Sequence, residues 1–265
     1  MGELEKAMLK AHKPSVFFET LRQMGQLSFW FPELEQTIGV GQNPRHHVEG
    51  DVWTHTMRVV DEAAAFRERV NNPLGFMLSA VAHDLGKPLC TRMVDGELRS
   101  YDHEKLGLPL VEAFMGRLTT QKDLIRYVMN LAELHMKPNM LAHDNASVKA
   151  TNRMFDAAVD PEGLICLALS DALGKTPPME GDHNEAFLLR RLEIYREYMG
   201  RPHVMGRDLI TAGVAPSARF TEYLDYAHKL RLAGVEKENA LRQTLAMARK
   251  AGDLKSNDKA APTEK

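Results

Sequence analysis

Apolar residues recur about every three to four positions through most of the chain, the period of an amphipathic helix. Val52, His55, Val59, Ala63 and Phe66 share one such face, and Leu124, Val128, Leu131 and His135 share another. Helices are therefore expected to dominate. Gly86 with Pro88 is expected to close the helix carrying His83, and Gly174 with Pro177 and Pro178 the one carrying Asp171, because glycine accepts a helix exit and proline cannot continue the ladder. The one strand signal is Asp95-Gly96 between short runs in Thr91–Tyr101, a pair suited to a tight hairpin. Around Gly200–Gly206 an Arg-Pro and two glycines break the pattern before a last pair of helices, near Ala218–Leu232 and Glu236–Lys250. The expected architecture is an all-α bundle over residues 1–200 with one short β-hairpin, a small helical appendage over 201–252, and a polar, aperiodic, disordered tail over 253–265.

Composition narrows the class without naming a function. With 265 residues, 44% of them hydrophobic, the chain can bury a substantial core without disulfides. Its two cysteines, Cys90 and Cys166, lack metal-type spacing, and Cys166 reads as core. No apolar run approaches the roughly 18 to 20 residues that span a bilayer, and Met1–Lys10 is charged, so a cytoplasmic protein without membrane contact is expected. The formal net charge is −2, although residues 201–265 hold 12 Lys plus Arg against 8 Asp plus Glu. That basic excess is too mild to mark a nucleic-acid footprint by itself.

The chemistry lies in polar residues where the pattern calls for apolar ones. His83-Asp84 ends a helix lined by Met77, Leu78, Ala80 and Val81; His55 takes an inward position on the preceding long helix; Asp171 falls on the face of Leu164, Leu167 and Ala168. Any one of them alone reads as a satisfied core residue. Four together call for a compensating charge, since buried imidazole and carboxylate groups are costly without partners. A divalent cation held by His55, His83, Asp84 and Asp171 supplies it.

These residues also carry a resemblance. His55, the His83-Asp84 pair within His-Asp-Leu-Gly-Lys, and Asp171 within Ser-Asp-Ala-Leu-Gly-Lys resemble the HD-domain metal-dependent phosphohydrolase superfamily. Phe17–Pro32, Gly39–Thr56 with its His46-His47-Val48-Glu49-Gly50-Asp51 string, and Tyr101–Gly107 are similar to the C-terminal half of bacterial CCA-adding tRNA nucleotidyltransferases. The similarity runs from about Glu3 to about Lys250. The Gly-Gly-x-Val-Arg-Asp-type phosphate turn and paired carboxylates of that family's nucleotidyltransferase head are not found in this sequence, so the chain is not expected to add nucleotides by itself.

The resemblance implies fold, cofactor and activity together. Some HD enzymes hold a second ion on extra histidines with the aspartate of the pair as bridge, which would give His103 and His135 that role; a helix-start residue and a helix-end histidine are the alternative readings. A donor set of imidazoles and carboxylates suits Mn, Fe, Ni, Co or Zn better than Mg, with one or two ions per chain. Lys87, beyond Gly86, is placed to meet a phosphate oxygen as a point charge. His46, His47 and Glu49 border the site, either touching substrate or hydrogen-bonding a ligand histidine. The implied function is hydrolysis of nucleotide phosphoesters by a metal-bound hydroxide, as 2',3'-cyclic phosphodiesterase, 2'-nucleotidase or phosphatase, with Asp84 and Lys87 as catalytic residues. The alternative is a non-catalytic tRNA-binding body and tail of a split nucleotidyltransferase, using Arg207 and Arg219. A di-iron oxygenase is the least favoured reading.

Overall fold

The computed structural model describes residues 2–45, 47–176 and 181–254. His46, Pro177, Pro178 and most of the expected tail (255–265) lie outside them. Two compact units divide the chain: residues 1–146 with 154–190, and residues 147–153 with 191–265.

The first unit is built around the helix Pro73–Ala82. Its sequence is apolar on all sides and Gly75 to Ala82 are buried, as expected for a helix covered all round. The helices Gly2–Lys10, Val52–Ala63, Lys122–Leu134 and Pro161–Gly174 pack against it. Caps set where these helices begin. Asn72 accepts a hydrogen bond from the Gly75 amide at 2.9 Å, with Pro73 in the first turn. Asp160 does the same for Gly163 at 2.9 Å, with Pro161 following, and its other oxygen accepts the Tyr127 hydroxyl at 2.8 Å. Asp51 caps Val52–Ala63 through the Thr54 amide at 2.9 Å and also holds the Gly39 amide at 2.6 Å. Short polar side chains at these positions satisfy amides that the helix itself leaves unpaired. An aromatic cluster of Phe17, Phe18, Phe31 and Phe114 fills the end of the same core.

The expected hairpin is present as β1 (Arg92–Val94) and β2 (Glu97–Arg99), antiparallel, with Met93 opposite Leu98. Asp95 and Gly96 both take positive φ, 51° and 78°, which the tightest two-residue hairpin requires. The helix before His83 ends at Ala82, and Pro88 does not terminate it. Instead Pro88 sits in the first turn of a short helix, Lys87–Cys90, where its missing amide costs nothing. The helix with Asp171 ends at Gly174 as expected. Cys166 is buried, Cys90 is half-buried, and both are free thiols.

The second unit has its own small core of Val204, Leu209, Val214, Tyr223, Ala227, Ala240, Ala248 and Leu254. Its helices Phe220–Leu232 and Lys237–Lys250 match the expected terminal pair. The unit boundary at Arg190/Arg191 falls within the continuous helix Gly181–Gly200 rather than at the Gly200–Gly206 break. Among the described residues no helix is long and apolar enough to cross a membrane.

Candidate metal centre

His55, His83, Asp84, His103, His135 and Asp171 come from five separate stretches of chain and converge in the interior of the first unit, all six residues buried. His83 caps the C-terminus of the central helix, and His135 joins Lys122–Leu134 to Met136–His143. His103 opens the short helix after the hairpin. A close backbone approach brings that helix to the His83-Asp84 turn: a Cβ on Gly86 would lie 2.0 Å from the His103 carbonyl oxygen, and one on Gly107 would lie 2.8 Å from Gly86 Cα. Neither contact leaves room for a side chain.

The four imidazoles share one arrangement. His83 Nδ1 donates to Ala80 O at 2.9 Å, His103 Nδ1 to Ser100 O at 2.8 Å, and His135 Nδ1 to Ala132 O at 2.6 Å. A carbonyl oxygen only accepts, so each Nδ1 carries a proton, and in the neutral imidazole, the form that binds a metal, Nε2 then presents a lone pair. His55 Nδ1 faces Glu49 Oε1 at 3.0 Å, with the same consequence. These Nε2 atoms then point at other acceptors: His55 at Asp171 Oδ1 (3.0 Å), His83 at Asp84 Oδ2 (3.2 Å), His103 at Asp84 Oδ1 (3.1 Å) and His135 at Asp84 Oδ1 (3.8 Å). His103 Nε2 and His135 Nε2 are themselves 3.3 Å apart. His83 Nε2 and both oxygens of Asp84 are buried without a directed hydrogen bond. Lone pair facing lone pair in a buried site is repulsive, and a cation between them removes the repulsion. The residues fit a divalent metal on these grounds.

Asp84 divides its oxygens between two groups. Oδ2 faces His55 and His83, whereas Oδ1 faces His103 and His135. Each group, Asp84 included, has ligand atoms within 4.8 Å of one another. Burial opposes ionisation of Asp84, but the charges of His83 and Lys87 and its contact with His103 hold its carboxyl well below the usual range. Asp171 is likewise depressed, its burial outweighed by Lys175 and His55. Burial, reinforced by His83 and His103, pushes His135 down to about 3, so it is neutral at physiological pH.

The surrounding residues occupy different places. Glu49 has a side chain only 1% exposed. Its Oε1 accepts from both His55 Nδ1 and His47 Nδ1 (2.7 Å), and its Oε2 from the Thr176 amide (2.9 Å). Of the two roles expected for Glu49, substrate contact or a hydrogen bond to a histidine, the structure shows the hydrogen bond, to His55. His47 does line the pocket, and burial together with Lys87 and His55 depresses it to about 4. Lys87 also lines it, its ammonium 2.7 Å from Asp84 Oδ2 and donating to Gln42 Oε1 at 2.6 Å. Sequence reasoning gave no role to Gln42, Lys175, Ser100 or Tyr101, all of which line the same pocket of about 240 Å³. Only Lys175 left a trace, in the parallel between Asp84-Leu-Gly-Lys87 and Asp171-Ala-Leu-Gly-Lys175.

Residues 52–175 match the HD domain family model, a span containing all six converging residues. The chain is similar to proteins named multifunctional CCA protein. It is 33% identical over 203 residues to that of Methylococcus capsulatus (72% of this chain, 45% of the relative). With that of Ralstonia nicotianae it shares 35% over 200 residues (72% and 44%), and with that of Pasteurella multocida 29% over 226 residues (82% and 51%). The chain thus spans about half the length of these relatives. Residues 52–175 form an HD domain.

Proposed function

We propose that the protein hydrolyses nucleotide phosphoesters, as a 2',3'-cyclic phosphodiesterase, a 2'-nucleotidase or both, with two divalent transition-metal ions whose candidate ligand groups share Asp84. The observation that carries the reading is the set of four Nε2 lone pairs, each fixed by a hydrogen bond at Nδ1 and aimed at the unsatisfied oxygens of Asp84 or at Asp171. His55, His83, Asp84 and Asp171 would hold one ion, and His103, His135 and Asp84 the other. Bound there, the ions would acidify a water and neutralise charge on a phosphoryl group. The chain's own residues do the rest. Glu49 and the Ala80, Ser100 and Ala132 carbonyls fix the imidazole tautomers. Lys87, held at the pocket wall by Gln42, offers an N–H to a phosphoryl oxygen. The nucleotide class comes from similarity to the multifunctional CCA proteins rather than from the ligand set, which any phosphoester would suit.

The test is metal analysis of the purified protein joined to a turnover screen with 2',3'-cyclic AMP, 2'-AMP, 3'-AMP, 5'-AMP and an aryl phosphate. Expected is chelator-sensitive turnover of at least the first two, lost in Asp84→Ala and His83→Ala with the helical circular-dichroism spectrum retained. Asp84→Ala with wild-type turnover would overturn the assignment. The tRNA-binding reading has less support, since Arg219 is engaged with Asp253 and Lys237 with Asp208 within the second unit. Tight tRNA binding without turnover of any phosphoester would establish it instead.

A further inference from the structure

Two lysines, not one, stand at the metal carboxylates. Each follows its aspartate after a glycine that ends or turns the chain, at Gly86 and Gly174. Lys87 Nζ lies 2.7 Å from Asp84 Oδ2 and Lys175 Nζ 3.4 Å from Asp171 Oδ2. Their side chains are only 11% and 15% exposed, which is uncommon for lysine because an ammonium loses its hydration when buried. Both line the pocket over the ligand cluster, and both charges act on His47.

Hydrogen-bonding capacity separates seats for a ligand from charge balance alone. An ammonium has three donors. Lys87 donates one to Gln42 and ion-pairs with Asp84 Oδ2 without a directed hydrogen bond. Lys175 has Asp171 as its one partner among the described residues, at a long 3.4 Å. At least half the donors of the pair thus have no partner among the described residues and can serve a pocket occupant. Charge balance points the same way. Metal ions on the ligand cluster would already offset Asp84 and Asp171, so the two ammonium ions would be surplus positive charge, and a dianion compensates that surplus better than a monoanion.

We propose that Lys175 acts with Lys87 as a paired-ammonium seat for the dianionic phosphate of a monoester. This rests on the phosphoester reading and narrows it: a monoester presents three non-bridging oxygens and two charges, whereas a cyclic diester presents two oxygens and one charge. The nucleoside 2'-monophosphate is then the better-held substrate, and Lys175 sets the difference.

The experiment measures inorganic phosphate binding by calorimetry to the full chain loaded with Mn(II), in wild type, Lys175→Met and Lys175→Arg. It is joined to metal analysis and to KM and kcat for 2'-AMP and 2',3'-cyclic AMP. Loss of one charge-assisted contact should weaken phosphate binding about 10- to 100-fold in Lys175→Met. Metal content should stay at the wild-type level, which also reports a folded site, and Lys175→Arg should recover most of the affinity. KM for 2'-AMP should rise more than KM for the cyclic diester. Unchanged phosphate affinity, or metal loss in Lys175→Met, would overturn the seat; equal rises in the two KM values would overturn the monoester preference. Should the wild type turn over no phosphoester while its phosphate affinity still depends on Lys175, the hydrolase reading falls and the seat stands.

Discussion

Replacing Glu49 by Gln removes one charge and almost no volume from behind the metal centre, so its consequences can be worked from hydrogen bonds alone. Glu49 Oε1 accepts two imidazole N–H groups, from His47 and His55, and Oε2 accepts the Thr176 amide. An amide has one acceptor oxygen and one donor nitrogen. If its oxygen stays with the imidazoles, its NH2 faces the Thr176 N–H, and a buried unsatisfied donor costs about 1–3 kcal/mol. If the amide turns over, NH2 faces His55 Nδ1, and the imidazole can respond only by moving its proton to Nε2, the atom needed for the metal. Either way the His55 end of the centre weakens. Loss of such a supporting hydrogen bond typically lowers metal affinity about 10- to 100-fold. The ion at His103 and His135 should change much less, because its imidazoles are oriented by the Ser100 and Ala132 carbonyls. Chelator-competition titration of wild type and Glu49→Gln would resolve the two affinities; wild-type affinity throughout would refute the orienting role. Acid should act in the same direction. Burial raises the Glu49 carboxyl, but hydrogen bonds from His55, His47 and Thr176 bring it down to about 2. A depressed folded-state value means that the stabilisation is complete above the unfolded value of about 4.3 and is lost as pH falls from there through about 2.

Further consequences follow from other contacts. His103→Ala or His135→Ala should reduce metal content from two ions per chain toward one while the helical spectrum persists; unchanged stoichiometry would leave a single-ion site. Gly86→Ala drives a methyl into the His103 carbonyl and the Gly107 backbone, an overpacking expected to cost about 1–3 kcal/mol, read as a lower thermal midpoint together with loss of the ion at His103. A wild-type midpoint would show that this turn relaxes freely. Tyr127→Phe leaves Asp160 Oδ2 without its 2.8 Å donor and should cost about 1–3 kcal/mol in urea unfolding. Burial and Asp160 raise the Tyr127 pKa, so this contribution is complete below the unfolded value of about 10 and declines as pH rises above it.

Much of the bundle was legible because burial leaves a periodic trace. His55 and Asp171 could be picked out as polar residues on otherwise apolar faces, and the hairpin announced itself because few pairs other than Asp95-Gly96 tolerate two successive positive φ angles. The division of the chain into units left no such trace. It falls inside the helix Gly181–Gly200, and a continuous helical period does not change where the helix passes from one core to another. Glu49 was ambiguous for a different reason. A carboxylate in a polar loop has the same local sequence whether it faces solvent, substrate or an imidazole, and only the meeting of Gly39–Thr56 with the end of the Asp171 helix decides among them.

His103 and His135 show most clearly where sequence stops and structure begins. Each had an ordinary reading, as a helix-start residue and a helix-end residue, and each does sit at a helix end. What suits them to bind a metal is shared with His83: a carbonyl three residues earlier takes the Nδ1 proton. Ala80 and Ala132 belong to the last turns of their helices, where carbonyls lack an intrahelical partner; Ser100 supplies the equivalent acceptor just after β2. No side chain identifies these acceptors, since any residue type provides a carbonyl. The feature that fixes all three tautomers is therefore carried by backbone geometry. The same helix and strand ends that satisfy one ring nitrogen of each histidine aim the other at Asp84.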